Sequence, residues 1–262
     1  MTQNRRSKRA IRSRMADTGE KYTEARRALL ASGGESDRSG GGSRGPEPIE
    51  EARRASDLTM DYETASVAWS AATSWQGWGA IDGVMSKLMS GDGRGVADFR
   101  TGGCLLTGSK LGLGLELYFG PGFTMVRRQH GSRWHDTRER SARGSAAYTP
   151  VWVVELPRGV TEAAVSERET VDGAPCRRLT VRCDPNLAAE RSRHGMQIPD
   201  HPSVPAELWI DSSGCLRRIR VTEVFQEGES HEAGLVTELR LSDLGTATAP
   251  APPRRTAAQP AG

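Results

Sequence analysis

The sequence lacks the short motifs that mark common catalytic and metal sites. It contains no HExxH metal-binding pattern, no GxxxxGK[ST] phosphate loop and no GxSxG nucleophile elbow. Its four cysteines are far apart and form no CxxC pair, so we expect free thiols rather than a zinc site. These absences predict a protein that is not an enzyme and that uses no metal or cofactor.

Long apolar runs are also missing. Aromatic residues make up 5% of the chain, and the best apolar stretches have only the length of a strand. A membrane-spanning helix needs about 20 apolar residues, and a secretory signal needs about 7–15 behind a basic start. Since neither pattern is present, we expect no membrane span and a cytoplasmic location.

The basic charge is concentrated at the N-terminus. Residues 1–31 carry nine Lys or Arg against three acidic residues, a net charge of +6, whereas the whole chain has +3. Helical spacing, with no Gly or Pro from Arg5 to Met15, predicts a basic helical arm here, which would attract polyanions weakly by counterion release. A solvated tail is the alternative interpretation. The residues for a nucleic-acid or polyanion contact are Arg5, Arg6, Lys8, Arg9, Arg12, Arg14, Arg26 and Arg27.

Composition divides the rest of the chain. Residues 32–55 are rich in Gly and Pro and predict a flexible linker. Residues 56–245 contain the periodic apolar patterns and predict one β-rich domain. Residues 246–262 (TATAPAPPRRTAAQPAG) predict a disordered tail. Within the domain, apolar residues from Leu58 to Ala72 recur at steps of three to four, which predicts an opening helix.

After Trp75 the apolar period changes to two, which is typical of strands. The clearest strand signal lies at 111–117, where leucines alternate with other residues, and a compact apolar strand is predicted at 151–156. Glycine-rich residues 91–95 favour a hairpin turn. Further strands flank turns at 172–175 and 211–214, and a short helix is predicted within 186–196. The fold class is therefore α+β, with a curved antiparallel sheet, one or two covering helices and the basic N-terminal helical arm.

Four stretches, in this order, resemble the actinobacterial lipoproteins of the LppX/LprAFG type, which have a LolA/LolB-like fold. They are ELYFGPGFTMVRRQHGSRWHD (116–136), TPVWVVELPRGV (149–160), ETVDGAPCRRLTVRCDPNLAA (169–189) and VPAELWIDSSGCLRRIRVT (204–222). The resemblance implies a half-barrel of about eleven strands around an apolar cavity that helices close, and it implies carriage of acyl lipids. We expect no signal peptide and no lipobox cysteine ahead of the domain, and in this respect the sequence departs from the family pattern.

Two sets of apolar side chains would line such a cavity, although both also fit an ordinary packed core. They are Leu111, Leu113, Leu115 and Leu117 on one predicted strand, and Trp152, Val154 and Leu156 on another. We therefore expect a non-enzymatic binding protein that holds a hydrophobic small molecule or lipid in a half-barrel. The alternative is a cytoplasmic regulatory or interaction protein whose basic arm contacts nucleic acid or a protein partner.

Overall fold

The computed structural model describes most of the predicted β-rich domain. The described residues are 47–76, 90–110, 113–120, 123–129, 131, 133–136, 149–195, 203–227 and 231–253. They lie in one compact unit, Glu47–Gly262.

Three short α-helices and eleven strands make up the described structure. The helices are α1 (Pro48–Met60), α2 (Pro150–Glu155) and α3 (Pro185–Glu190), and a 3-10 turn at Leu156–Gly159 follows α2. The strands are β1 (Thr64–Gln76), β2 (Gly91–Asp98), β3 (Gly103–Lys110), β4 (Leu113–Gly120), β5 (Phe123–Arg128), β6 (His135–Asp136), β7 (Val160–Val171), β8 (Ala174–Cys183), β9 (Val204–Asp211), β10 (Leu216–Glu227) and β11 (His231–Ser242).

All described strands belong to one antiparallel sheet. Their order is β6-β5-β4-β3-β2-β1-β11-β10-β9-β8-β7, so β1 and β11 pair in the middle and join two meanders. The strands β6 and β7 are the two edges of the described sheet, which is therefore open. This architecture confirms the predicted α+β class and the half-barrel that the resemblance implied.

The sheet curves around α2. This six-residue helix, about 9 Å long, contacts β2 and β3 on one side and β10 on the other. In a flat sheet, β3 and β10 would be four strand intervals apart, about 19 Å. A helix this short reaches both only because the sheet wraps around it, and the face towards α2 is the interior of the half-barrel.

Two glycines allow the backbones of β2 and β3 to approach each other closely. A Cβ on Gly95 would lie 1.8 Å from the Leu105 carbonyl oxygen, and a Cβ on Gly108 would lie 1.9 Å from the Asp92 carbonyl oxygen. The two backbones approach too closely here for any side chain. The predicted hairpin turn at 91–95 is wrong, because all five of these residues lie within strand β2, where the chain does not reverse.

The predicted opening helix is wrong in extent. Helix α1 begins at Pro48, inside the segment assigned to the linker, and ends at Met60. Proline is favoured in the first turn of a helix, and Glu50 and Glu51 follow it there, where acidic side chains stabilise the helix dipole. The residues predicted to continue the helix form β1, because pairing with β2 and β11 outweighs their helical spacing.

The predicted turns at 172–175 and 211–214 are confirmed, since they lie between β7 and β8 and between β9 and β10. The Asp172-Gly173 pair connects β7 and β8 with both residues at positive φ (49° and 82°), as a tight hairpin requires.

At the C-terminal end of the domain, the backbone amides of Thr246 and Ala247 donate to the Asp243 carbonyl (3.1 and 3.3 Å), so the first residues of the predicted tail complete a turn.

Candidate functional site

The segment at 151–156 is helical, so the predicted strand is wrong there. Pro150 occupies the first turn of α2, and the Thr149 hydroxyl accepts a hydrogen bond from the Trp152 amide (3.2 Å), which caps the helix. Every residue of α2 is buried. Apart from Glu155 at its C-terminal end, the helix is apolar on all sides, as its place inside the curved sheet requires. Such a short apolar run does not distinguish a helix from a buried strand.

The three predicted ligand residues of this segment are part of a packed core. Trp152, Val154 and Leu156 are 2%, 0% and 0% exposed, and they share one apolar cluster with Leu106 and Leu239 of the sheet. At the α2 end, the half-barrel is therefore filled by its own side chains. Contact of these three residues with a ligand stays a prediction.

The predicted leucine strand corresponds largely to β4. Leu111 lies outside the described residues, and Leu113 begins the strand. Leu115 pairs with Gly108 and Leu117 pairs with Leu106, whose side chain is in the core, so both leucines face the interior. The structure thus places these two on the predicted face, and their contact with a ligand stays a prediction.

Away from α2, the interior is less completely packed. Trp69 on β1, Leu115 and Leu117 on β4 and Leu235 on β11 are only partly buried, although they alternate with residues of the other face. By contrast, the interior residues Leu239 and Leu241 are 0% and 2% exposed. The interior therefore has a filled end beside α2 and an end where apolar side chains retain accessible surface.

Three polar side chains lie on the interior face at this second end. They are Trp69 on β1, Thr237 on β11 and Glu223 on β10, with Thr237 and Glu223 only 1% and 3% exposed. Burial raises the pKa of Glu223 to about 7, because the apolar surroundings disfavour the carboxylate. Sequence reasoning missed all three, although a Glu in the alternating series Ile219-Val221-Glu223 signals a charged group on an apolar face.

A second polar cluster joins the helices. The Glu155 carboxylate, fully buried at the end of α2, accepts hydrogen bonds from the Ser192 hydroxyl (2.5 Å) and the Arg193 amide (2.8 Å). The His194 Nδ1 lies 3.3 Å from the same carboxylate, and its Nε2 lies 3.0 Å from the Phe99 carbonyl oxygen. Burial raises the pKa of Glu155, but the nearby His194 ring and the hydrogen bonds from Ser192 and Arg193 outweigh it and leave the pKa below its usual range.

This cluster contains Ser, His and Glu, but its hydrogen bonds differ from those of a catalytic triad. In a triad, the histidine ring accepts the proton of the serine hydroxyl and the carboxylate orients the ring. Here the Ser192 hydroxyl donates to the Glu155 carboxylate, and its oxygen accepts from the backbone amide of His194 (3.1 Å). We interpret the cluster as a clamp that holds residues 191–195 against α2 and the loop at Phe99.

The outer face of the sheet carries a polar groove of about 610 Å³. Its floor is the small-residue face of β1, where Ala68 pairs with Arg94 on one side and Arg240 on the other. Arg240 forms ion pairs with Glu238 (2.9 Å) and Asp172 (3.7 Å). The charged walls do not suit an apolar ligand, so the interior is the better candidate site for one.

The predicted basic arm falls outside the part of the chain that the structure describes. Residues 1–46, and with them all eight basic residues of the predicted polyanion site, lie outside the described residues.

The four cysteines are free, as predicted, and the structure also shows that all four are buried. Burial raises the pKa of Cys183 to about 12. Across the described ranges, no group of His, Cys, Asp and Glu side chains is arranged to hold a metal ion, and no helix is long and apolar enough to span a membrane.

Comparison with known proteins finds similarity only among solved structures. No protein-family model and no curated protein matches the chain. LprF from Mycobacterium bovis is 14% identical with a TM-score of 0.44, covering 80% of this chain and 99% of LprF. The lipoprotein LppX from Mycobacterium tuberculosis is 17% identical with a TM-score of 0.42, covering 78% of this chain and 98% of LppX. A LolA superfamily protein from Nitrosomonas europaea is 9% identical with a TM-score of 0.35, covering 76% of this chain and 96% of that protein. These similarities concern the fold alone.

Proposed function

We propose that this chain is a non-enzymatic binding protein that holds an apolar, lipid-like ligand inside its half-barrel. The observation that carries the proposal is the partly buried apolar surface of the interior, which includes Trp69, Leu115, Leu117 and Leu235. This surface continues from a tightly packed core and lies on the concave side of the sheet, where ligand sites are usually found.

Energetics favour an apolar ligand at this position. Removing apolar surface from water contributes about 25 cal/mol per Å², so partly exposed side chains on a concave face gain stability when a ligand covers them. The outer groove offers no comparable gain, because arginine and carboxylate side chains line it.

The test is to purify the full-length protein, measure its mass under native conditions, and extract it with organic solvent. We expect a co-purified apolar molecule, or uptake of an apolar fluorescent dye by the extracted protein. Leu115→Trp adds bulk to the interior and should lower dye uptake. The matched control is Val224→Trp, because Val224 is 56% exposed on the other face of the sheet and should leave uptake unchanged.

Two results would contradict the proposal. One is a ligand-free mass together with no dye uptake at any concentration at which the protein is soluble. The other is dye uptake that Leu115→Trp and Val224→Trp reduce equally, since this would place the dye outside the half-barrel.

A cytoplasmic location and an interaction role for the basic arm remain proposals that rest on the sequence alone. The arm residues, Arg5 to Arg27, are outside the described part of the chain. Deleting residues 1–31 should abolish binding to a polyanion such as heparin if the arm carries that contact, and the lipid-like ligand should still be bound.

A further inference from the structure

Three polar side chains interrupt the apolar interior at the incompletely packed end of the half-barrel. Trp69, Thr237 and Glu223 belong to the neighbouring strands β1, β11 and β10. Each occupies an interior position, because each alternates with residues of the opposite face and shares its face with core residues such as Val67, Leu239 and Val221.

The strand register places the three side chains on one diagonal. Trp69 pairs with Leu239 while Thr237 pairs with Ala71, so Trp69 and Thr237 are diagonal neighbours across β1 and β11. Thr237 also pairs with Val221, so Glu223, two residues further along β10, is its diagonal neighbour on the other side. Diagonal neighbours lie about 7–8 Å apart, within reach of one ligand group.

Two of these side chains have hydrogen-bonding atoms that no described residue pairs. The Trp69 Nε1 and the Thr237 Oγ1 are buried and have no hydrogen-bond partner among the residues that the structure describes. Buried polar groups are hydrogen-bonded in the large majority of cases, because an unpaired one has lost its water without compensation. Two such groups on diagonal neighbours point to a shared partner outside the described residues.

The chemistry of the diagonal selects the kind of partner. The indole N–H only donates, and the threonine hydroxyl donates or accepts, so an acceptor oxygen satisfies both. A carboxylate would be repelled by Glu223 in its ionised form, whereas the carbonyl of an ester carries no charge. The apolar residues around the diagonal would cover the rest of such a molecule.

We propose that Trp69 and Thr237 form a polar subsite that binds the carbonyl oxygen of an uncharged acyl ester inside the half-barrel, and that Glu223 beside them disfavours a charged carboxylate at this position. This inference rests on the proposed function and names the class of ligand. The ester is recognised by its carbonyl group and its chain by the partly buried apolar side chains nearby.

The experiment compares two probes of similar length, methyl decanoate and undecane, by displacement of the apolar dye from the full-length protein. Only the ester has an acceptor oxygen. Thr237→Val removes the hydroxyl without changing the side-chain shape and should weaken ester binding by roughly fivefold to tenfold, with alkane binding unchanged. Thr237→Ser retains the hydroxyl and should preserve the preference for the ester.

Two further variants separate recognition from general damage. Trp69→Phe removes the other donor and should also lower the preference for the ester. Thr222→Val makes the same chemical change as Thr237→Val on the opposite face of β10 and should have no effect. Circular dichroism of each variant verifies that it is folded.

The outcomes distinguish the two proposals. If the wild-type protein binds both probes and Thr237→Val and Trp69→Phe leave the affinity ratio unchanged, the polar subsite is refuted while the proposed function stands. If the wild-type protein binds neither probe nor the dye, the proposed function is refuted, and the subsite is refuted with it.

Discussion

Replacing Glu223 by Gln should make the stability of the protein less dependent on pH. The Glu223 side chain is 3% exposed, and burial raises its pKa from 4.5 to about 7. Because the folded state holds this proton more tightly than the unfolded state, the protonated carboxyl favours folding. That contribution is fully present below about pH 4.5 and is lost as the pH rises through about 7.

The size of the effect follows from the two pKa values. Each pH unit between them corresponds to about 1.4 kcal/mol, so the free energy of unfolding should fall by at most about 3 kcal/mol between pH 4.5 and pH 8 because of this one group. Gln cannot ionise and has nearly the same shape. At about pH 8 the Glu223→Gln variant should therefore be more stable than the wild-type protein, and near pH 4.5 the two should be equal.

The assay is urea unfolding of the ligand-free protein at several pH values in this range. Glu238→Gln is the control with the opposite sign. Glu238 is on the outer face and accepts hydrogen bonds from Arg218 (2.6 Å) and Arg240 (2.9 Å), which lower its pKa although partial burial opposes them. Its variant should be less stable near neutrality and approach the wild-type protein as the pH falls. If the free energy of unfolding changed with pH by the same amount in Glu223→Gln and in the wild-type protein, the reasoning would be refuted.

Two further predictions concern the close approach of β2 and β3 and the clamp at α2. Gly95→Ala should lower the free energy of unfolding by about 3 kcal/mol or more in urea titrations, because its Cβ would overlap the Leu105 carbonyl oxygen. Gly93→Ala should change it by about 1 kcal/mol or less, because the nearest neighbour of its Cβ would be 3.4 Å away. Equal losses for the two variants would contradict a steric origin. Glu155→Gln should destabilise the protein by about 3 kcal/mol at neutral pH, because it removes the buried carboxylate that faces His194. The wild-type contribution should decline as the pH falls through the lowered pKa of Glu155, and a pH-independent loss would show that the charge is unimportant.

Sequence reasoning found those elements whose signal is local. The pair Asp172-Gly173 adopts the positive φ values of a tight hairpin turn, and the flanking strands follow from their alternation. Leu115 and Leu117 were placed on one interior face by their spacing, and the structure puts them there. In each case the relevant interaction spans only a few residues, so the pattern contains the information.

The same reasoning failed where distant strands decide the outcome. Residues from Thr64 to Gln76 have helical apolar spacing but form β1, because β11 and β2 supply hydrogen bonds on both sides. The run at 151–156 was read as a strand but forms α2, because the curved sheet surrounds it and an apolar helix is stable only when every side is buried.

The sequence by itself determined the α+β class, the hairpin turns and the alternation of the later strands, because backbone preference and side-chain period act locally. Only the tertiary structure decided that Trp69, Thr237 and Glu223 lie on one diagonal, since they are far apart in the chain and meet through the pairing of β1, β11 and β10. The physical reason is that strand register fixes which side chains become neighbours, and register is set by the whole sheet.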